Sequence, residues 1–283
     1  MSTYTAVRPP AGRRLVAIGN EVAKGLRLGW AERVQILIEL PLFTGMLLLL
    51  SLLLGRGDEI VASGRLEWSF DPYRTSWLLL GWVIFLFVYL QSVKTFWRLL
   101  GEIQTGTLEQ VYLSPVPAWV TIAVGRVVAA VVETGFVVGA VYLVASLVTD
   151  LRLTWHPEVL VPLALTVVGG AGYALLIAGL TLAWKRIELL QDVLLAVLMF
   201  VSGAVIPLSG MPAWVHAVAD LLFITHPVEA ARISLLDNQP IPLWGTGGWA
   251  WLLGTAAGWL LLGVLGYRFC DRYARRRGTL GRY

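Results

Sequence analysis

The chain has 283 residues, 57% of them hydrophobic and 14% charged, with a net charge of +4. Its mean hydropathy is +0.73. Soluble domains carry about 25% charged residues, so this balance excludes an ordinary globular protein and predicts a membrane protein. One cysteine, Cys270, excludes an intrachain disulfide framework and gives no basis for a zinc cluster.

Residues 1–34 form a cytoplasmic N-terminal segment. It has basic residues but no apolar core ahead of a small-residue cleavage site, so it does not read as a signal peptide. Leu15, Ile18, Val22, Leu26, Trp30 and Val34 recur at steps of three and four. Arg14, Glu21, Lys24, Arg27 and Arg33 fill much of the other side. That spacing predicts an amphipathic helix with a basic face, suited to the membrane interface; packing as a soluble helix on another domain is the alternative.

Residues 35–269 form the membrane domain. Crossing a hydrocarbon layer of about 30 Å takes roughly 20 apolar residues as helix. Runs at 35–54, 77–93, 119–148, 159–183, 189–207 and 247–269 qualify as six spans. They are continuously apolar with no period-2 alternation, which means helices and not barrel strands. Trp77, Trp119, Trp155, Trp184, Trp249 and Trp251 fall near span ends, as an aromatic belt requires.

Residues 270–283 are a basic tail. Six Lys or Arg precede the first span, and six run from Arg268 to Arg282. Lys94 and Arg98 are expected in the loop after the second span, and Lys185 and Arg186 in the loop after the fourth. The opposite side has only Arg56, Arg65, Arg74, Arg152 and Arg232, with Arg126 inside the third run. This excess places both termini in the cytoplasm. Basic residues that flank spans in this way are not a nucleic-acid site.

Between the second and third spans lies QTGTLEQVYLSPVP. Thr107 and Gln110 have capping-box spacing, and Glu109 suits the positive end of a helix. Pro115 and Pro117 then stop it, leaving about two turns that present Leu108, Val111 and Tyr112. Such a stub is unstable alone, so it either packs on a cytoplasmic partner or serves as a simple re-entry turn.

Some polar residues fall inside or beside spans. Glu39 and Glu133 are intramembrane acids, which are costly unless they face protein or water. Glu133 lies two turns past Arg126 on one face; it either lines a transport path or makes a structural bond near the cytoplasmic end. Glu188 and Asp192, one turn apart beside Lys185 and Arg186, read as a solvated ion-paired face or a docking point. Gly135/Gly139 and Gly254/Gly258 have spacing that allows close helix packing. MPAWVHAVADLLFIT, broken by Pro212, is short for a crossing and predicts a re-entrant or interfacial hairpin on the outer side. His216 and His226 could pair around a metal or satisfy local hydrogen bonds; no metal site is assigned.

TGTLEQVYLSPVP resembles the Gly-Thr-Leu-Glu and Ser-Pro-Val segment of type-2 ABC exporter permeases, the membrane subunits of drug, polysaccharide and lipid exporters. A second stretch is similar to that family's late signature at Ser202, Gly203, Pro207, Met211, Pro212, Trp214, Pro227 and Arg232. The resemblance implies an all-α polytopic membrane protein of six transmembrane helices, with an N-terminal interfacial helix and a re-entrant outer hairpin between helices five and six. It implies that Glu102, Thr105, Gly106, Thr107, Leu108 and Glu109 couple to an ATPase, and that Pro207, Pro212, Trp214 and Arg232 form an outer gate. Glu133 is the candidate for the path. The expected partners are two copies of an ABC ATPase subunit, a second or homologous permease copy, and the bilayer of a prokaryotic cell (inner) membrane. The sequence has no G-x-x-x-x-G-K-[ST], so ATP and Mg are expected on the partner and no cofactor on this chain.

Two rivals come from other classes. An ion- or proton-coupled secondary transporter predicts several acids deep in spans. An intramembrane enzyme predicts H-E-x-x-H, a nucleophile with a His partner, or a mid-membrane carboxylate pair; none is present, so no catalytic residue is assigned.

Overall fold

The computed structural model describes residues 11–31, 33–63, 71–106, 127–184 and 187–277. Among the described residues every regular element is helical. The long helices are α1 (Ala11–Ala31), α2 (Arg33–Ser63), α3 (Pro72–Gln104), α4 (Val127–Val148) and α5 (Leu160–Trp184). They are followed by α6 (Glu188–Val201), the short α7 (Ala213–Ala219) and α8 (Thr225–Leu235), and α9 (Trp249–Arg277).

Helix α3 is the central pillar. Asp71 caps it, accepting hydrogen bonds from the Tyr73 and Arg74 amides at 2.9 and 3.4 Å, and Pro72 fills the first turn where no amide partner is needed. Its 33 residues reach about 50 Å. It ends where the Thr105 amide bonds back to the Gly101 carbonyl and Gly106 turns to φ 71°. That positive φ is cheap only for glycine, so Thr105-Gly106 closes α3 and does not open a new helix. Leu79, Trp82, Leu86, Phe96 and Leu99 along it are all buried.

The outer faces are apolar instead. Leu37, Ile38 and Leu42 on α2, Phe136, Leu143 and Leu147 on α4, and Leu253, Leu261 and Leu265 on α9 are exposed. Contiguous apolar surface of this kind is unstable in water and satisfied in hydrocarbon.

Four described helices are long and apolar enough to cross a membrane: Pro72–Gln104, Val128–Val148, Pro157–Trp184 and Trp249–Arg276. The first predicted run is a shorter apolar stretch, Leu37–Leu53, within α2. The fifth ends as helix at Val201, not residue 207, because Gly203 takes φ 79° and breaks the ladder. The second is longer than expected at both ends, which carries Lys94 and Arg98 out of the supposed loop and into α3. The sixth continues past residue 269 to Arg277. The segment after Pro212 folds as α7 and α8, two short helices joined at residues 220–224.

Close approaches occur at glycines other than the expected pairs. Nothing lies within 4 Å of the Cβ positions of Gly135, Gly139, Gly254 or Gly258. The α5–α9 contact is instead made by Gly172 and Gly263, where a Cβ on either would collide with the opposing backbone. Helix α1 lies on α4 through Gly25 above Ala129 and Gly29 above Glu133. Its Leu26 and Trp30 point away from the bundle and are exposed.

Candidate functional site

Two charged clusters mark the two ends of α3. At the end that leads into residues 105–117, four groups from three helices meet. Lys94 Nζ on α3 donates to Glu133 Oε1 on α4 at 2.6 Å, and approaches Glu39 Oε2 on α2 at 3.4 Å without hydrogen-bond geometry. Arg98 Nη2, one turn along α3, donates to Glu133 Oε2 at 2.7 Å. Glu39 also accepts from Gln35 at 2.7 Å. Two acids face two bases, so the formal charges cancel, and the short contacts offset the cost of desolvating them. Lys94 and Glu133 are only 5% and 7% exposed, so neither charge has water as a substitute partner.

Helix α1 completes this cluster. Lys24 Nζ donates to Glu102 Oε1 at 3.0 Å, tying α1 to the last turn of α3. A Cβ on Gly29 would stand 2.7 Å from Glu133 Oε2, so only glycine lets α1 lie this close to the ion pairs. Glu102, Thr105 and Gly106 of the predicted coupling set are therefore at the mouth of the segment. Thr107, Leu108 and Glu109 lie outside the described residues, as does Arg126, the neighbour expected for Glu133. The partners of Glu133 are Lys94 and Arg98, both treated in the sequence as loop residues. Their spacing of four within 93–100, which has no other charged residue, was the available signal, since it puts both cations on one helix face.

At the far end of α3, Arg232 from the last turn of α8 is 4% exposed. Its guanidinium carbon lies 3.4 Å from the centre of the Trp77 ring. Nη1 and Nη2 donate to the Gly203 and Ala204 carbonyls at 3.0 and 3.1 Å, and Nε to the Trp77 carbonyl at 3.4 Å. Glu229 supplies the counter-charge at 3.6 Å. Burial pulls this guanidinium down to about 10, still well above neutral pH, so it remains charged. The planar fork satisfies the carbonyls released where α6 breaks, while its face stacks on the indole. Gly81 makes room: a Cβ there would meet the Ala204 carbonyl and stand 2.7 Å from Arg232 Nη2.

The predicted gate residues divide. Arg232 meets Trp77, and Pro207 lines a cavity of about 380 Å³ together with Trp77, Ser51, Tyr73 and Arg74. Pro212 starts α7, and Trp214 on it is exposed, away from that cavity. Trp77, expected as a membrane-belt anchor, is a half-buried platform for Arg232. Nothing in the local sequence pairs residues 77 and 232.

His226 is fully buried and makes local bonds. Its Nδ1 accepts from the Gly247 amide at 3.3 Å, its Nε2 donates to the Asp220 carbonyl at 2.9 Å, and its ring stacks on Trp251. Asp192, read as part of a solvated face, lines a groove between α2, α3 and α6. Lys185 and Arg186 lie outside the described residues. Among the described residues no group of three or more His, Cys, Asp or Glu is placed to hold a metal ion.

No curated protein matches the chain. The family model described as ABC-2 type transporter matches residues 24–236, a range that runs from Lys24 through both ends of α3 to just past Arg232. The chain belongs to the ABC-2 type transporter family.

Proposed function

We propose that this chain is the permease subunit of an ATP-driven exporter, working as a dimer with two separate ATPase subunits. The observation that carries the proposal is the clamp at the start of the 105–117 segment. Glu102, held by Lys24, and Glu133, held by Lys94 and Arg98, join α1, α3 and α4 at the point where the chain leaves α3. A push on residues 107–117 would reach three helices through these ion pairs and not a flexible loop. The absence of a P-loop in the sequence assigns ATP hydrolysis to a partner. The mechanism is a two-state gate biased by the motor, with no chemistry on the cargo.

In this proposal the clamp end of the bundle is cytoplasmic, as the excess of Lys and Arg indicates. Helix α1 lies in that interface, its exposed Leu26 and Trp30 covered by lipid. Helices α2 and α6 supply the two remaining crossings, and α7 with α8 forms a re-entrant outer hairpin locked by Arg232. A coupled carrier would rest on a free acid at Glu133; two cations already hold that group.

The test is co-purification from cells of the source organism, with any bound ABC ATPase identified by mass spectrometry. Wild type should retain the ATPase, and a Leu108→Asp, Glu109→Arg double variant should fold but release it. Equal retention by the double variant, or no ATPase bound to either, would overturn the assignment.

A further inference from the structure

One apolar face of α9 changes character within a single turn. Leu261, Leu265 and Phe269 are exposed along it. At about 100° per residue, Arg272 falls on the helix surface between Leu261 and Leu265, and Arg276 between Leu265 and Phe269. Both arginines are exposed, so the face that lipid covers runs directly into two cations. Side chains four apart on a helix are neighbours, and one anion can therefore meet both guanidinium groups.

Their depth matches the headgroups. A bilayer has roughly 5–8 Å of polar layer on each side of its hydrocarbon core. Arg272 lies three residues beyond Phe269, about 4.5 Å along the axis, and so falls within that layer. Arg276 lies about 10 Å beyond Phe269, but helical side chains tilt toward the N-terminus, here the membrane side, which leans its guanidinium back. Trp184 marks the same level independently. It is exposed at the end of α5 and stacks on Tyr273 with ring centroids 6.1 Å apart, and exposed tryptophans collect at headgroup depth.

No acid competes for the pair. Asp271 is the one acid in residues 249–283; it lies off this face, and Arg275 holds it at 3.1 Å. Glu102, at the same end of the bundle, is held by Lys24. Neither Arg272 nor Arg276 forms an ion pair with any described residue, Glu188 included. A second copy applied to this face about an axis along the membrane normal would set arginines against arginines. A zwitterionic headgroup brings its own cation beside the phosphate. An anionic phospholipid fits both features, since its tails cover the apolar stripe and its phosphate accepts from the guanidinium forks.

We infer that this face of α9 binds an anionic phospholipid, with Arg272 and Arg276 on the phosphate and Leu261, Leu265 and Phe269 along the tails. The site requires only that the chain lies in a membrane, and it stands apart from the ATPase assignment.

The test is native mass spectrometry of the purified full chain in detergent, titrated with phosphatidylglycerol and phosphatidylcholine of identical tails. Each arginine near an anionic surface is worth about fivefold in binding, so wild type should hold phosphatidylglycerol about tenfold more tightly or better. Arg272→Gln combined with Arg276→Gln should reduce that preference to below about threefold. Arg74→Gln combined with Arg152→Gln removes the same charge from the opposite end of the bundle and should leave the preference unchanged. Equal binding of the two lipids by wild type would overturn the inference with no variant needed. So would a preference that survives in the Arg272/Arg276 variant, or one that falls as far in the opposite-end control. Displacement of the lipid by an equal concentration of glycerol phosphate would also overturn it, because the site would then take a phosphate without tails. An Arg272/Arg276 variant that holds phosphatidylglycerol as wild type does but releases the ATPase would give this face to the ATPase instead. Loss of lipid preference with the ATPase still co-purifying would remove the lipid site only; lipid preference in a chain that retains no ATPase would remove the transporter assignment only.

Discussion

Lys94 on α3 holds Glu133 on α4 at 2.6 Å, and the same ammonium is approached by Glu39 on α2 at 3.4 Å. One cation thus joins three helices at a buried point, and its loss leaves two acids facing a single base, Arg98. Lys94→Met should destabilise the chain by about 3–5 kcal/mol, the cost of breaking a buried pair from one side. Adding Glu133→Leu should recover much of this, because Glu39 and Arg98 then remain as one charge of each sign. Thermal denaturation followed by fluorescence-detected gel filtration measures both; no recovery in the double variant would show that the pair does not act as a unit.

Gly29 should not tolerate a side chain. A Cβ there meets the Glu133 carboxylate at 2.7 Å, and that carboxylate is pinned by two cations, so it cannot swing aside without losing them. Gly29→Val should cost about 1–3 kcal/mol and loosen α1 from α4. Limited proteolysis within residues 11–31 should become faster, whereas Gly19→Val, with nothing within 4 Å, should leave the rate unchanged apart from helix propensity.

Arg232→Lys should behave nearly as badly as Arg232→Ala. A lysine retains the charge but has no planar fork to reach the Gly203 and Ala204 carbonyls while lying flat on Trp77. Losing charge-assisted bonds to buried carbonyls should cost about 1.5–3 kcal/mol in stability. Melting curves of both variants decide it: a lysine variant as stable as wild type would mean that charge alone suffices.

His226→Phe retains the stacking on Trp251 and loses both ring hydrogen bonds. The Gly247 amide and Asp220 carbonyl would be left without these partners, at about 1–3 kcal/mol for each group that stays buried. Hydrogen exchange should rise at Gly247 in particular, since its amide donates directly to Nδ1. Unchanged protection there would show that another acceptor replaces the imidazole.

The α5–α9 contact separates spacing from packing. Gly263→Val should prevent folding, because its Cβ would strike the Gly172 backbone and main chain cannot rotate away. Gly254→Val, on the same helix but with open space around it, should express normally. Equal expression of the two would contradict the observed contact.

Composition and long apolar runs were sufficient to establish a helical membrane protein, because lipid leaves backbone groups no partner outside a helix or a barrel. Residues 159–183 match α5 to within a residue at each end, and the Leu-rich runs contain no break that would mislead. The sequence also singled out Glu133 as a costly charge in an apolar setting, and the family resemblance picked out Arg232. It could not name their partners. Lys94 lies 39 residues from Glu133, and Trp77 lies 155 from Arg232; both meetings depend on how α3 is packed. The same reason explains the end of α3, where Lys94 and Arg98 looked like loop residues because a charge in sequence signals water. Only the assembled bundle supplies two carboxylates that make those charges stable inside a helix. It likewise decided which glycines carry contacts, since small-residue spacing recurs by chance and only helix position selects Gly29, Gly172 and Gly263. Periodicity and hydropathy are properties of single segments, so the chain alone determined its helices. Ion pairs, close approaches and the Asp192 groove are properties of several segments at once, and they were decided by tertiary structure.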